Sequence, residues 1–349
     1  MARRWTRFGV LSTVAAAGLA LAGVGPAAAA TTIVVGPGQS IQAAVDRAQP
    51  GDTIVIKPGT YRESVLVRKD RLTIKGSGAG PAGTILQPGP SDPANPCSRD
   101  GGNGICVFGT ASNRVGGVTI THLVVRDYAG DGIVAVETDN LVVAVVTARG
   151  NGGYGIARFA SGGGAIVDSL AVDNRDAGFY VGDSPNAQAD VVGNVSRGNE
   201  LGVFVRHARR VAVEGNVLTG NCIGVLLLND DQPGGAGNHV VGFNDVRGNN
   251  RVCRIEGVPP FGGSGIAVLG ATDSVIQDNA VLNNRGNTFP SGGIVLLPSF
   301  GGAPATGNVI LRNTAFRNAP ADIVDNSGPG ANTFSRNECG RSQPAGLCR

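Results

Sequence analysis

A glycine followed by an apolar residue returns along most of this chain: Gly104-Ile105, Gly132-Ile133, Gly155-Ile156, Gly178-Phe179, Gly202-Val203, Gly224-Val225, Gly265-Ile266 and Gly293-Ile294. The steps are 28, 23, 23, 24, 22, 41 and 28 residues. Two asparagine series keep the same period. One runs Asn151, Asn174, Asn199, Asn221, Asn249, Asn284, Asn318; the other runs Asn194, Asn216, Asn244, Asn279, Asn313. A period of this length with short apolar runs marks stacked coils, each cheap to add but unable to bury its apolar face alone. A propeller blade needs about forty residues, a leucine-rich horseshoe needs a Leu-dense consensus, and a β-sandwich would not hold so regular a register. The fold expected is all-β: a single-stranded right-handed parallel β-helix, a solenoid of roughly three short strands per coil.

The asparagines fit that geometry. Asn and Gly tolerate the left-handed turns that β-branched residues resist, and an Asn side chain can bond the turn of the next coil, so aligned residues stack into a ladder. Within VEGNVLTGNCIGVLLLNDD (213–231), Asn216 and Asn221 are therefore read as turn and ladder residues. Upstream, Ser40 precedes IQAAVDRAQ, whose Ile41, Ala44, Val45 and Ala48 make one helical face. Ser40 suits an N-cap, and a short amphipathic helix there would close the N-terminal end of the stack, where edges are otherwise exposed. Strand candidates follow at 53–57, 64–68 and 72–75. The expected organisation is a leader over 1–30, the β-helix with its cap over 31–325, and an irregular C-terminal cap or tail over 326–349.

The first thirty residues have the layout of a secretory signal peptide. Arg3, Arg4 and Arg7 precede an apolar run from about Val10 to Val24, and an Ala-x-Ala pattern ends near Ala30. The run is short for a bilayer span. Cleavage removes three of the 29 basic residues, leaving 26 against 26 acidic ones. Such a balance gives no reason to expect nucleic acid as a partner. The six cysteines, Cys97, Cys106, Cys222, Cys253, Cys339 and Cys348, all lie in the exported part. In an oxidising compartment an even count implies disulfides. Fifteen pairings exist, of which the sequential one is preferred. The expected product is a secreted, extracellular monomer with no membrane span after leader removal.

Candidate chemistry comes from counting five residues on from the recurring glycine, which reaches Glu137, Ala160, Asp183, His207 and Asn229. Arg158 lies two before Ala160, Arg206 one before His207, and Asp230 and Asp231 follow Asn229. With coils about 4.8 Å apart, Asp183 and the 229–231 group should stand about 10 Å apart, with Arg206 and His207 between them. Arg158, Arg206, Arg209 and Arg210 can pair with carboxylates of an acidic ligand. Asp183, Asp230 and Asp231 offer oxygen ligands to a hard cation such as Ca²⁺. A β-eliminating lyase needs a cation or Arg to neutralise a uronate carboxylate and a base, Arg or His, to remove the acidified proton; Asp pairs would instead suit glycoside hydrolysis. Arg206, His207 and Arg158 are the catalytic candidates; Tyr180, Arg209 and Asn229 are the substrate-binding ones. Glu137 and Asp139 read as turn residues, Arg175-Asp176 as an exposed local pair, His122 as structural and His239 as solvated. Phe179, aligned with Ile133, Ile156 and Val203, should point inward and Tyr180 outward.

From GDTIVIKPGTYRESVLV through the Gly-Asn and Gly-Ile coils to about Asn318, the chain resembles secreted parallel β-helix proteins related to pectate lyases and polysaccharide epimerases, and especially the right-handed β-helix repeat proteins of actinobacteria. The resemblance covers nearly the whole mature chain and implies a polysaccharide partner, acidic in the lyase case. Many pectate lyases set an Arg base beside an Asp-rich calcium site, and Arg206 between Asp183 and Asp230 is the nearest equivalent. The Tyr-Gly-Phe-Asp-Pro-His stretch of alginate epimerases is absent; Tyr154-Gly155-Ile156-Ala157-Arg158 is the closest string. Copper-associated β-helix proteins would favour soft or imidazole ligands, against a single Met and three dispersed His. Because one fold hosts many activities, two readings stand: a polysaccharide lyase on an acidic glycan, or a non-catalytic carbohydrate- or cell-surface-binding protein.

Overall fold

The computed structural model describes residues 29–230 and 232–348. The leader therefore lies almost wholly outside the described residues, and Asp231 lies outside them too. The chain winds into a right-handed parallel β-solenoid of about 13 turns. One face, here the front sheet, is an eleven-stranded parallel sheet running from Val65–Val67 to Ser342–Gln343. Its strands align on the recurring glycine: Ile133 pairs with Ile156, Ile156 with Phe179, Phe179 with Val203, Val203 with Val225, Val225 with Ile266 and Ile266 with Ile294. The other faces carry two further parallel series, as in Val143↔Ile166↔Val191↔Val213↔Val241 and Ala148↔Ala171↔Ser196↔Leu218↔Val246.

Inward residues from all three faces join one continuous apolar core reaching from Val35 to Ile323. Both asparagine series are buried ladders. Asn151 Nδ2 donates to Asn174 Oδ1, and Asn174 Nδ2 to Asn199 Oδ1, each at 2.9 Å. The backbone N–H of Asn199 donates to Asn221 Oδ1, and the ladder continues through Asn249 and Asn284 to Asn318. The second series runs from Asn194 through Asn216, Asn244, Asn279 and Asn313 to Asn337. Each amide fills the hydrogen-bonding needs of the backbone at a corner that water cannot reach.

Helix α1 (Ile41–Arg47) stands at the N-terminal end, with the Ser40 hydroxyl accepting from Ala43 N–H and Ile41, Ala44 and Val45 buried in the core. The last segment departs from expectation. Residues 326–349 are not irregular: Thr333–Ser335, Glu338–Cys339 and Ser342–Gln343 pair in parallel with the preceding coil. Asn332 and Asn337 extend the ladders there, which supplies the order that the apolar pattern does not advertise. All three sequential disulfides form, Cys97–Cys106, Cys222–Cys253 and Cys339–Cys348. No helix among the described residues is long and apolar enough to cross a membrane.

Candidate functional site

Outward positions on the front sheet alternate with core positions. In a β-helix one expects charge there, but this face carries a second apolar cluster of Leu201, Ile223, Leu226, Leu228, Leu269, Val295 and Leu297. Toward the N-terminal half it becomes aromatic. Tyr180 lies 4.6 Å from Tyr154, 4.7 Å from Phe159 and 5.2 Å from Phe204, centroid to centroid. Tyr180 does point away from the lumen, as its alternation with Phe179 requires. It is nevertheless only 1% exposed, because these rings close over it, so Tyr154, Phe159 and Phe204 are the accessible part of this floor.

The far edge of the floor is a stacked corner. Glu137, Ala160, Asp183 and His207 all have left-handed backbone, with φ of 53°, 48°, 52° and 46°. That conformation is uncommon outside glycine and favours Asp and His among the rest. It brings four predicted residues together. His207 Nδ1 lies 3.0 Å from Asp183 Oδ1, and His207 Nε2 contacts Asp230 Oδ1. Arg206 donates to Asp230 Oδ2 from Nη2 at 2.7 Å and from Nε at 3.2 Å. This carboxylate bond raises the Arg206 guanidinium above its ordinary range. His207 is buried, while Asp183 is exposed and Arg206 half-buried. Asp183, Arg206 and His207, with Pro185, Gln232 and Pro233, line a recess of about 340 Å³. Through Asp183 and Pro185 it continues into a trough of about 620 Å³ past Asn186, Gln188 and Arg114.

Other sequence candidates sit elsewhere. Arg158 pairs in register with Ala135 and Val181, both inward positions, so it enters the lumen and is 1% exposed. Its Nη2 donates to Gly163 O, while Nε and Nη1 have no partner. Burial pulls its guanidinium down to about 10. It cannot meet a glycan, because an even offset from the recurring glycine's neighbour sends it inward. Asn229 donates to Gly270 O and Arg209 is half-buried; neither lines the recess. Glu137 and Asp139 are ion-paired to Arg114. His239 is not solvated but buried at a corner, where its Nδ1 accepts from Val211 N–H; burial, then Arg209, lowers it to about 3. Among the described residues no three His, Cys, Asp or Glu side chains form a metal-holding group. Asp183 and Asp230 already face cationic or imidazole partners, so the donor set seen does not fit a Ca²⁺ ion.

The near edge holds residues that sequence reasoning missed. Asp131, Asp176 and Glu200 stand one or two residues before the recurring glycine. Burial pushes Asp131 up to about 6 and Glu200 up to about 7, with Asp176 adding repulsion to each. Asp176 is itself raised by burial and accepts from Ala177 N–H at 2.8 Å. It is therefore a groove-edge acid and not an exposed partner of Arg175. The signal was present as an acidic residue repeatedly preceding the glycine. Glu200 and Arg206 are six residues apart along an extended strand, about 20 Å, so the two edges cannot act on the same bond.

The sequence model of one family, described as right handed beta helix region, matches residues 94–250. No curated protein matches the chain. Among solved structures the chain is similar to the A-module of the mannuronan C-5 epimerase AlgE4 of Azotobacter vinelandii, at 19% identity and a TM-score of 0.60, over 85% of this chain and 90% of that one. The A-module of the Azotobacter vinelandii epimerase AlgE6 gives 17%, 0.61, 85% and 88%. DFA-IIIase from Arthrobacter chlorophenolicus A6 without its lid gives 17%, 0.54, 84% and 86%. At these identities the likeness is one of fold.

Proposed function

We propose that this is an exported protein acting on a polysaccharide laid along the solenoid axis, and that its chemistry is β-elimination on an acidic glycan. One observation carries the reading: Asp183, His207 and Arg206 line an open recess at the edge of an aromatic floor, with Asp230 behind them bonded to Arg206 and against His207. The coil spacing of about 4.8 Å presents equivalent positions repeatedly along the axis, which suits a polymer of repeated units. Three disulfides favour an oxidising location. The epimerase and DFA-IIIase neighbours make a carbohydrate partner the natural first choice.

Arg206 is a poor base, because Asp230 holds it charged. Its role is to take the uronate carboxylate, neutralising it and acidifying the neighbouring C5 hydrogen. A carboxylate that draws Arg206 from Asp230 also loosens Asp230 from His207 Nε2. His207, oriented through Nδ1 by Asp183, then removes the proton. The C4–O bond breaks, a C4–C5 double bond forms, and the leaving oxygen takes up a proton. No divalent ion is required by this scheme, although Asp183, Asp230 and Asp231 remain the residues to test for Ca²⁺.

A screen of uronate-containing polysaccharides with and without Ca²⁺, followed at the absorbance of the unsaturated product, tests the reading. Activity that Arg206→Ala abolishes without unfolding supports it. No product from any acidic glycan, with folded protein, refutes it. The binding-only reading has one observation in its favour, the placing of His207 between the Asp183 and Asp230 carboxylates. It predicts glycan affinity without turnover.

A further inference from the structure

Gly182 is an anomaly on the front sheet. Its register partners are Phe159 and Arg206, and the row continues through Val136, Leu228, Leu269 and Leu297. Every one of these raises a side chain over the outer face, and Gly182 does not. Backbone conformation does not explain it, since Gly182 is absent from the positive-φ glycines of this chain. Space does. A Cβ at Gly182 would overlap the hydroxyl and Cζ of Tyr180 and stand 2.5 Å from its Cε1. The Tyr180 ring therefore lies down along its own strand, in the notch Gly182 leaves, and does not stand out from the sheet. Tyr154 and Phe159 on one side and Phe204 on the other hold it there. Its hydroxyl thus lies over Gly182, the residue that pairs in register with Arg206 one coil away.

We propose that Tyr180 is a positioning residue for Arg206, and that Gly182 is the notch that lets it be one. Arg206 is bonded by the Asp230 carboxylate on one side, and on the other the Tyr180 hydroxyl lies over its register partner Gly182. When a uronate carboxylate displaces Asp230, Tyr180 is the contact that stays and keeps the guanidinium aimed into the recess. This rests on the lyase reading for its consequence, but not for its geometry.

Tyr180→Phe keeps the ring and its packing and removes only the hydroxyl. A hydrogen bond to a charged group supports a roughly 10- to 100-fold fall in kcat/KM on a polyuronate, with unfolding unchanged. Gly182→Ala should produce a similar fall in the wild-type background and little further loss in a Tyr180→Ala background, where the methyl group has room. Equal effects of Gly182→Ala in both backgrounds would overturn the notch. A crystal structure of Tyr180→Phe gives the arm that needs no activity. Movement of Arg206 out of the recess supports positioning; Arg206 unmoved, with kcat/KM unchanged where turnover exists, overturns it. If no acidic glycan is turned over at all, the lyase reading falls, and the crystal structure still decides the role of Tyr180.

Discussion

Replacing Arg158 with Met should make this protein more stable. Arg158 occupies an inward position between Ala135 and Val181, is 1% exposed, and keeps one hydrogen bond, to Gly163 O. Nε and Nη1 are buried without partners, and Asp190 and Asp139 act only through space. Burial lowers the guanidinium from 12.5 to about 10, a cost to the charged form of about 3 kcal/mol at 1.36 kcal/mol per unit. Met has a similar reach and no charge to desolvate. Against the gain stands the lost charged bond to Gly163, worth about 1.5–3 kcal/mol, so the net expectation is a rise of about 0.5–2 kcal/mol, as when buried ionic groups elsewhere are replaced by packed apolar ones. The sign with pH is also set. Below about pH 10 both folded and unfolded chains carry the proton, so the penalty is constant; between about 10 and 12.5 the unfolded chain binds more protons and wild-type stability rises. Urea unfolding of wild type and Arg158→Met at several pH values from 6 to 9 measures the difference, with equal slopes confirming comparable unfolded states. A variant less stable than wild type by 1 kcal/mol or more would show that the lumen solvates this cation after all.

Asn221→Ala removes a ladder rung that accepts from Asn199 N–H and donates to Asn249 Oδ1; stranding buried partners should cost about 2–4 kcal/mol, and a chemical denaturation midpoint near wild type would argue against the ladder as a stabilising element. Cys222→Ser with Cys253→Ser opens a 31-residue separation and should lower stability by about 3–4 kcal/mol on the loop-entropy account, read by calorimetry without reductant. Glu200, raised from 4.5 to about 7 in the folded chain, binds its proton more tightly there than when unfolded. Its contribution therefore declines as pH rises through that interval. Tm of wild type minus Tm of Glu200→Gln should fall from pH 4.5 to 7 and level off above; a flat difference would place Glu200 in ordinary solvent.

The coil period, the inward row beginning at Ile105, both asparagine ladders and the three disulfides were all legible along the chain. Each depends on repetition or on backbone preferences local to a few residues, and the spacing of Arg206, His207 and Asp230 followed once coils were aligned. The side of the sheet on which Arg158 falls was contained in the alignment, two residues beyond the inward Ile156, but counting only from the glycine to the polar stripe left that alternation out. What the alignment could not show is that Tyr180 lies covered by rings 21 to 26 residues away in the chain, that Gly182 makes room for it, or that His239 is sealed inside a corner. Those outcomes, like the raised pKa values of Asp131 and Glu200, depend on what neighbouring coils remove from water. The sequence by itself determined the stack and its register; the tertiary structure decided which polar groups are solvated, because desolvation is a property of the whole neighbourhood and not of the residue.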